Sequence, residues 1–275
     1  MSVLFVSDLD GTLLDERQRL SRTTIELVNE RVAAGVWFTV ATARSPTSAL
    51  PLLSALDLRL PMVFHNGALL TDPLSGDTLA RNLLPAPLAR RLVTGYLERG
   101  LHPFVYTIDE QGREHASFLG PGNPCEEDYL ARRRELGDDR FRIVTDFGEA
   151  LEEGVIAVNV NDAPGKLDGM ARELRVEPEL FVHYGPDIYV PGFHWLEAGH
   201  HRANKGDAVR FLRSHLGPRQ VVCFGDNLND IEMFEAADEG HAVANAHRKL
   251  VAAATSVIGS NRDHGVARYL ARAAG

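Results

Sequence analysis

Two aspartates open the chemistry of this chain. In VLFVSDLDGTLLD, residues 3–15, Asp8 and Asp10 follow directly on an apolar run. Carboxylates spaced this way can hold a cation, attack an electrophile or move a proton, although a D-x-D alone is most often a solvated turn. A second acidic stretch changes the reading. GDNLND, residues 225–230, again follows an apolar run, QVVCF. If both strand ends lie on one sheet edge, Asp8, Asp10, Asp226 and Asp230 converge. Carboxylates crowded in this way repel, and their pKa values rise unless a cation neutralises them. All-oxygen donors suit Mg²⁺, which is commonly held by one or two carboxylates, waters and a substrate phosphate. A phosphate site also needs donors and positive charge. Thr42 offers a hydroxyl, Lys205 an ammonium, and Gly11 and Gly67 allow close backbone approach.

Positioning these residues takes a parallel sheet. Residues 3–6 read as a buried strand. Ile25, Val28 and Val32 recur at helical spacing, with Ser21 as N-cap and Gly35 as stop. VWFTVAT is a second strand ending at Thr42, ALPLLSAL a second helix, and PMVF a third strand running into HNGA. This alternation predicts an α/β fold, a doubly wound, Rossmann-like parallel sheet whose site lies on the loops at the carboxyl ends of its strands. Asp8, Thr42 and Asn66 fall on such loops. From residue 84 the alternation stops. A helix (PAPLARRLVTGYLERG) is followed by strands HPFVYTID and REHASFL around the turn EQG. A helix near EEDYLARRREL, strands FRIVTD and VIAVNVND, the helix KLDGMARELR and the strand LFVHYG come next. They predict an α+β domain inserted at residues 84–187, with a core formed by residues 1–83 and 188–275. The parallel pattern is expected to resume at FHWLEAG. A helix carrying Lys205 follows, then QVVCFGDNLNDIEMFEAA as strand, acidic loop and helix, short strands HAVAN and SVIGS, and a closing helix GVARYLARAA.

Composition narrows the function classes. A formal net charge of −9, from 38 acidic and 29 basic residues, argues against nucleic-acid or anionic-membrane binding, since both reward a basic face. A small anionic substrate needs only a local positive site. Cys125 and Cys223 make neither a disulfide framework nor a zinc pattern. The N-terminus lacks the features of a signal peptide, and no apolar run approaches the roughly 20 residues that span a bilayer. The expectation is a soluble, cytoplasmic protein, a monomer or weak homodimer.

DLDGTLL, TARS, NKG and GDNLND stand in the order and context of the four motifs of the haloacid dehalogenase-like phosphatases, and the chain resembles that superfamily along its whole length. The insertion between the second and third motifs, together with HNGA, resembles the Cof-type branch, which carries a large α+β cap there. The resemblance implies Asp8 as nucleophile, giving an aspartyl-phosphate, and Asp10 as general acid and then general base. It implies Mg²⁺ held by Asp8, the Asp10 backbone carbonyl and Asp226, with Asp230 in support. Thr42, Ala43, Arg44, Asn66 and Asn229 are implied at the phosphoryl group, and Lys205 is implied to neutralise that group and orient Asp8. An acid at position 10 fits phosphatases and phosphomutases, whereas ion-pumping relatives have threonine there and dehalogenases lack this acid. The stretch LEAGHHRANKG departs from the usual pattern. Asn204 precedes the lysine, and His200 and His201 are additional, most simply as a solvated loop. Three readings remain: a phosphatase on a small phosphorylated metabolite such as a sugar phosphate, a phosphomutase, and a low-turnover phosphometabolite-binding regulator. Selectivity is implied for the cap, where Arg113, His115 and Tyr184 are candidates, each more often an ordinary surface or core residue.

Overall fold

In the computed structural model, which describes residues 2–187 and 189–273, the first apolar run forms β1 (Val3–Ser7). Ser21 caps α1 (Arg22–Ala33) by accepting the Thr24 N–H at 3.0 Å. β2 (Trp37–Val40) follows, then α2 (Pro46–Leu53), capped by Ser45 with Pro46 in its first turn. A proline is tolerated there because the first N–H groups of a helix lack intrahelical partners. β3 (Met62–Phe64), β4 (Leu69–Thr71) and β5 (Thr78–Arg81) form a small antiparallel sheet in the order β3-β4-β5. The predicted third parallel strand therefore meets the parallel sheet beside β2, through the parallel bridge between Val63 and Ala41, the residue just past β2.

The chain divides into two compact units, Met1–Arg81 with Arg202–Gly275, and Asn82–His201. The second is built from α3 (Ala86–Glu98), β6 (Phe104–Ile108), β7 (Glu114–Phe118), α4 (Pro124–Glu135), β8 (Phe141–Ile143), β9 (Gly154–Asp162), α5 (Pro164–Arg175), β10 (Leu180–Pro186) and β11 (His194–His200). Its strands make one six-stranded sheet, ordered β10-β11-β9-β6-β7-β8. Val105, Val158, Val160, Leu196 and Ala198 pack against Leu92 and Tyr96 of α3 and Leu167 and Met170 of α5. On the opposite face, Tyr129 of α4 meets the rings of Phe104, Phe141 and Trp195.

One expectation is corrected here. FHWLEAG does not return to the parallel sheet: it is β11, antiparallel to both β9 and β10. Leu196 and Ala198 face the helices while Trp195 and Glu197 alternate to the other side. That alternation belongs to a two-faced antiparallel strand, whereas central parallel strands are apolar throughout.

The first unit resumes with α6 (Lys205–Leu216), which ends at the left-handed Gly217. β12 (Gln220–Gly225), α7 (Ile231–Ala236), β13 (Glu239–Val243), α8 (Arg248–Ala253), β14 (Ser256–Ile258) and α9 (Gly265–Arg272) complete it. β1 lies between β12 and β2 in a five-stranded parallel sheet ordered β14-β13-β12-β1-β2, with Val6 level with Cys223 and Thr39. Leu4, Val6, Val221 and Cys223 are fully buried among Ala208, Val209 and Leu212 of α6 and Met233 of α7. Because β1 and β12 are neighbours and parallel, both acidic loops leave the same sheet edge. On the other side, the Tyr269 hydroxyl of α9 shares a 2.8 Å hydrogen bond with His241 of β13.

Two glycines separate close packing from helix propensity. A Cβ on Gly265 would overlap the backbone carbonyl of Gly259, whereas nothing lies within 4 Å of a Cβ on Gly169 in α5. Gly265→Ala should cost about 1–3 kcal/mol. Gly169→Ala should add about 0.5–1 kcal/mol, the usual penalty of a mid-helix glycine. Urea unfolding checks both, and equal shifts for the two would contradict the packing described.

Candidate active site

Three strand-end loops and one helix start build the site. Asp8 follows β1 directly, and its N–H still bonds the Phe224 carbonyl of β12 at 2.9 Å. The chain then turns sharply through Gly11, at φ 75°, where a Cβ would overlap the Asp226 carboxylate. Only glycine combines that backbone with that approach. Thr12 donates to Asp226 Oδ1 at 3.2 Å and ties the two acidic loops together.

In the second acidic loop, Asp230 Oδ2 accepts the N–H groups of Asp226 (2.9 Å) and Asn227 (3.0 Å). Its Oδ1 accepts Lys205 Nζ at 2.6 Å, and the same ammonium donates to Asp8 Oδ1 at 2.5 Å. Lys205 and Asp230 are fully buried, and Asp8 is 6% exposed. Lys205 reaches them because it opens α6, capped by Asn204, which accepts the Asp207 N–H at 2.8 Å.

Asp8, Asp226 and Asp230 bring carboxylate oxygens within 4.8 Å of one another, against a single ammonium. Burial pushes Asp8 well above the ordinary carboxylate range; Lys205 opposes that, while Asp230 and Asp226 reinforce it. Burial and then the neighbouring Asp230 raise Asp226 to about 6. Burial alone would lower Lys205, but Asp230 and Asp8 outweigh it and hold the ammonium above its ordinary value. The surplus of negative charge and the oxygen-only donor set fit a hard divalent cation such as Mg²⁺.

Thr42 is buried just past β2, and its Oγ1 accepts the Arg44 N–H at 3.1 Å. Ala43 is exposed beside it. Arg44 makes a contact that sequence did not suggest: Nε and Nη2 hold both oxygens of Asp10, each at 2.6 Å. Asn66 and Asn229 pair with each other, Nδ2 of Asn229 donating to Oδ1 of Asn66 at 3.0 Å. Two asparagines were missed altogether. Asn245 Nδ2 donates to the Gly11 carbonyl at 2.8 Å, and Asn261 Nδ2 to the Leu14 carbonyl at 3.0 Å. Between them, the Asn261 N–H bonds Asn245 Oδ1 at 3.0 Å. Their only sequence signal was position, each just after a short strand.

In the second unit the named polar candidates are engaged within it. Arg113 and His115 both contact Asp109, and Tyr184 donates to Asp168 at 2.5 Å. The rings of His200 and His201 stack 4.3 Å apart at the end of β11. Among the described residues, the acidic trio is the one cluster with metal-holding spacing.

The four motif loops thus meet on one sheet edge, in a Rossmann-like unit interrupted by an α+β unit. The chain belongs to the haloacid dehalogenase-like hydrolases, whose family model matches residues 5–270, and its enzyme class is that of a phosphatase. It is 28% identical over 281 residues to the pyridoxal phosphate phosphatase YbhA of Escherichia coli, covering 96% of this chain and 95% of that protein. It is 27% identical over 283 residues to the 5-amino-6-(5-phospho-D-ribitylamino)uracil phosphatase YwtE of Bacillus subtilis, again covering 96% and 95%. A solved haloacid dehalogenase-like hydrolase from B. subtilis superposes with a TM-score of 0.82 at 21% identity over the whole of both chains.

The buried ammonium has a consequence for stability. Lys205→Met strips Asp8 and Asp230 of their shared partner, and breaking a buried pair on one side typically costs about 3–5 kcal/mol. Urea unfolding at neutral pH in metal-free buffer should show a loss of that order. A variant as stable as the parent would mean that the carboxylates do not depend on the lysine.

Proposed function

We propose that the chain is a cytoplasmic, Mg²⁺-dependent phosphatase that hydrolyses small phosphorylated metabolites, sugar phosphates foremost, through an aspartyl-phosphate on Asp8. The observation that carries this reading is the buried Asp8–Lys205–Asp230 constellation with a second carboxylate, Asp10, two residues from the nucleophile. Lys205 engages Oδ1 of Asp8, which leaves Oδ2 to attack phosphorus. The phosphorus–oxygen ester bond breaks as the bond to Asp8 forms, and Asp10 gives the departing alkoxide its proton. Asp10 then takes a proton from the water that attacks the phosphoryl group and restores Asp8. Thr42 and the backbone beside Ala43 hold the phosphoryl oxygens by hydrogen bonds. Since Arg44 grips both Asp10 oxygens, proton transfer requires that grip to loosen.

Asp8, the Asp10 carbonyl and Asp226 would hold Mg²⁺, with Asp230 supporting from behind, its two oxygens already committed to Lys205 and to backbone N–H groups. Bound there, the ion supplies positive charge against the phosphoryl oxygens and the crowded carboxylates.

Selectivity belongs to the second unit on this reading. The polar side chains that its sheet carries at Asn159 and Glu197, directly opposite each other, support that assignment.

Two measurements test the proposal. Phosphate release from a panel of sugar and alkyl phosphates should require Mg²⁺, disappear on exhaustive chelation and recover poorly with Ca²⁺, whose looser coordination misplaces the nucleophile. Full turnover after chelation removes the metal from the mechanism. The second concerns Asp10. A sugar alkoxide needs a proton to leave and p-nitrophenolate does not. Asp10→Asn should therefore slow single-turnover alcohol release by about 10²–10⁴-fold, the usual worth of a positioned acid, and release of p-nitrophenolate far less. Equal losses would assign Asp10 a structural role instead.

A further inference from the structure

The turn after β3 carries more strain than its length explains. His65, Asn66 and Gly67 follow one another with φ of 48°, 55° and 109°. Left-handed backbone at a non-glycine residue is unfavourable and persists where surrounding structure over-determines it. Here the surroundings are the other loops of the site. The His65 N–H bonds the Arg44 carbonyl and the Asn66 N–H bonds the Thr42 carbonyl, both at 2.9 Å. A Cβ on Gly67 would lie 2.5 Å from the backbone oxygen of Asn204, the residue before Lys205. The Asn66 side chain, 6% exposed, accepts from Asn229, the residue directly before Asp230 in the turn that also carries Asp226.

One short turn therefore touches the loops of Thr42, Lys205 and the acidic pair. We propose that Asn66 is a positioning residue that fixes the acidic loop through Asn229. The amide pair bonds this turn to that loop, and its acceptor sits on backbone already pinned to Thr42. Losing it leaves the charges in place but frees the loop to shift, and shifts of about 1 Å can cost up to 10²-fold in rate. The kinetic readout rests on the phosphatase reading above; a second readout does not.

The variants are Asn66→Gly, Asn229→Ala and the pair together. Glycine keeps the left-handed backbone and removes the acceptor. Asn66→Gly and Asn229→Ala should each lower kcat by about 10-fold, with KM and inhibition by inorganic phosphate moving less than about 3-fold. The double variant should be no worse than the worse single one, because both remove one bond. Additive losses in the double variant would overturn the assignment. If the parent hydrolyses nothing, the phosphatase reading fails while this one is still read by thermal unfolding. The melting shift of the double variant should then match the larger single shift, and a shift equal to their sum would refute the pairing.

Discussion

Burying a lysine between two aspartates is the constraint from which this site follows. Lys205 has no exposed surface, and its ammonium divides itself between Asp8 and Asp230. An ion pair in such a place contributes little net stability, since desolvation offsets most of its attraction. What it supplies is geometry. Asp8 is held by one oxygen, and the acidic loop is closed by the same cation that holds it. With Asp226 beside them the charges do not balance, and the excess negative charge favours a bound cation.

Close approach is what the small residues contribute. Gly11 lets the loop after β1 lie against Asp226, and Gly225 lets the chain run past Asp230, where a Cβ would sit 2.6 Å from that side chain. Asparagines then fasten the loops from outside: Asn245 on the Gly11 carbonyl, Asn261 on the Leu14 carbonyl. Both bonds end on backbone carbonyls, so these neutral amides fasten the loops without engaging the carboxylates.

The two units use different sheet physics. In the first, apolar strands covered on both faces end in polar loops, and function gathers on one edge. In the second, an antiparallel sheet turns one face to α3 and α5, while its other face is aromatic under α4 and polar at Asn159 and Glu197. Named relatives act on substrates as different as pyridoxal phosphate and a phosphoribitylamino-uracil. On the function proposed above, a core that handles the phosphoryl group is joined to a separate unit that sets selectivity, a division that would permit such range.

Much of this was legible in the sequence. Apolar runs closing in DLD and GDNLND determine strand, loop and acid, because a strand buried on both faces has no other pattern and the chemistry sits where it ends. The helix carrying Lys205 was equally readable, whereas the capping role of Asn204 came with the structure. Other features depended on tertiary contacts. FHWLEAG is apolar enough for either sheet, and only its two-faced packing assigns it to the antiparallel one. The grip of Arg44 on Asp10 joins residues 34 apart in sequence, and the Asn66–Asn229 pair joins residues 163 apart. No local spacing encodes such partners. A side chain's type says which bonds it can make, but which atom it meets is decided when the strands align and bring their loops to one edge.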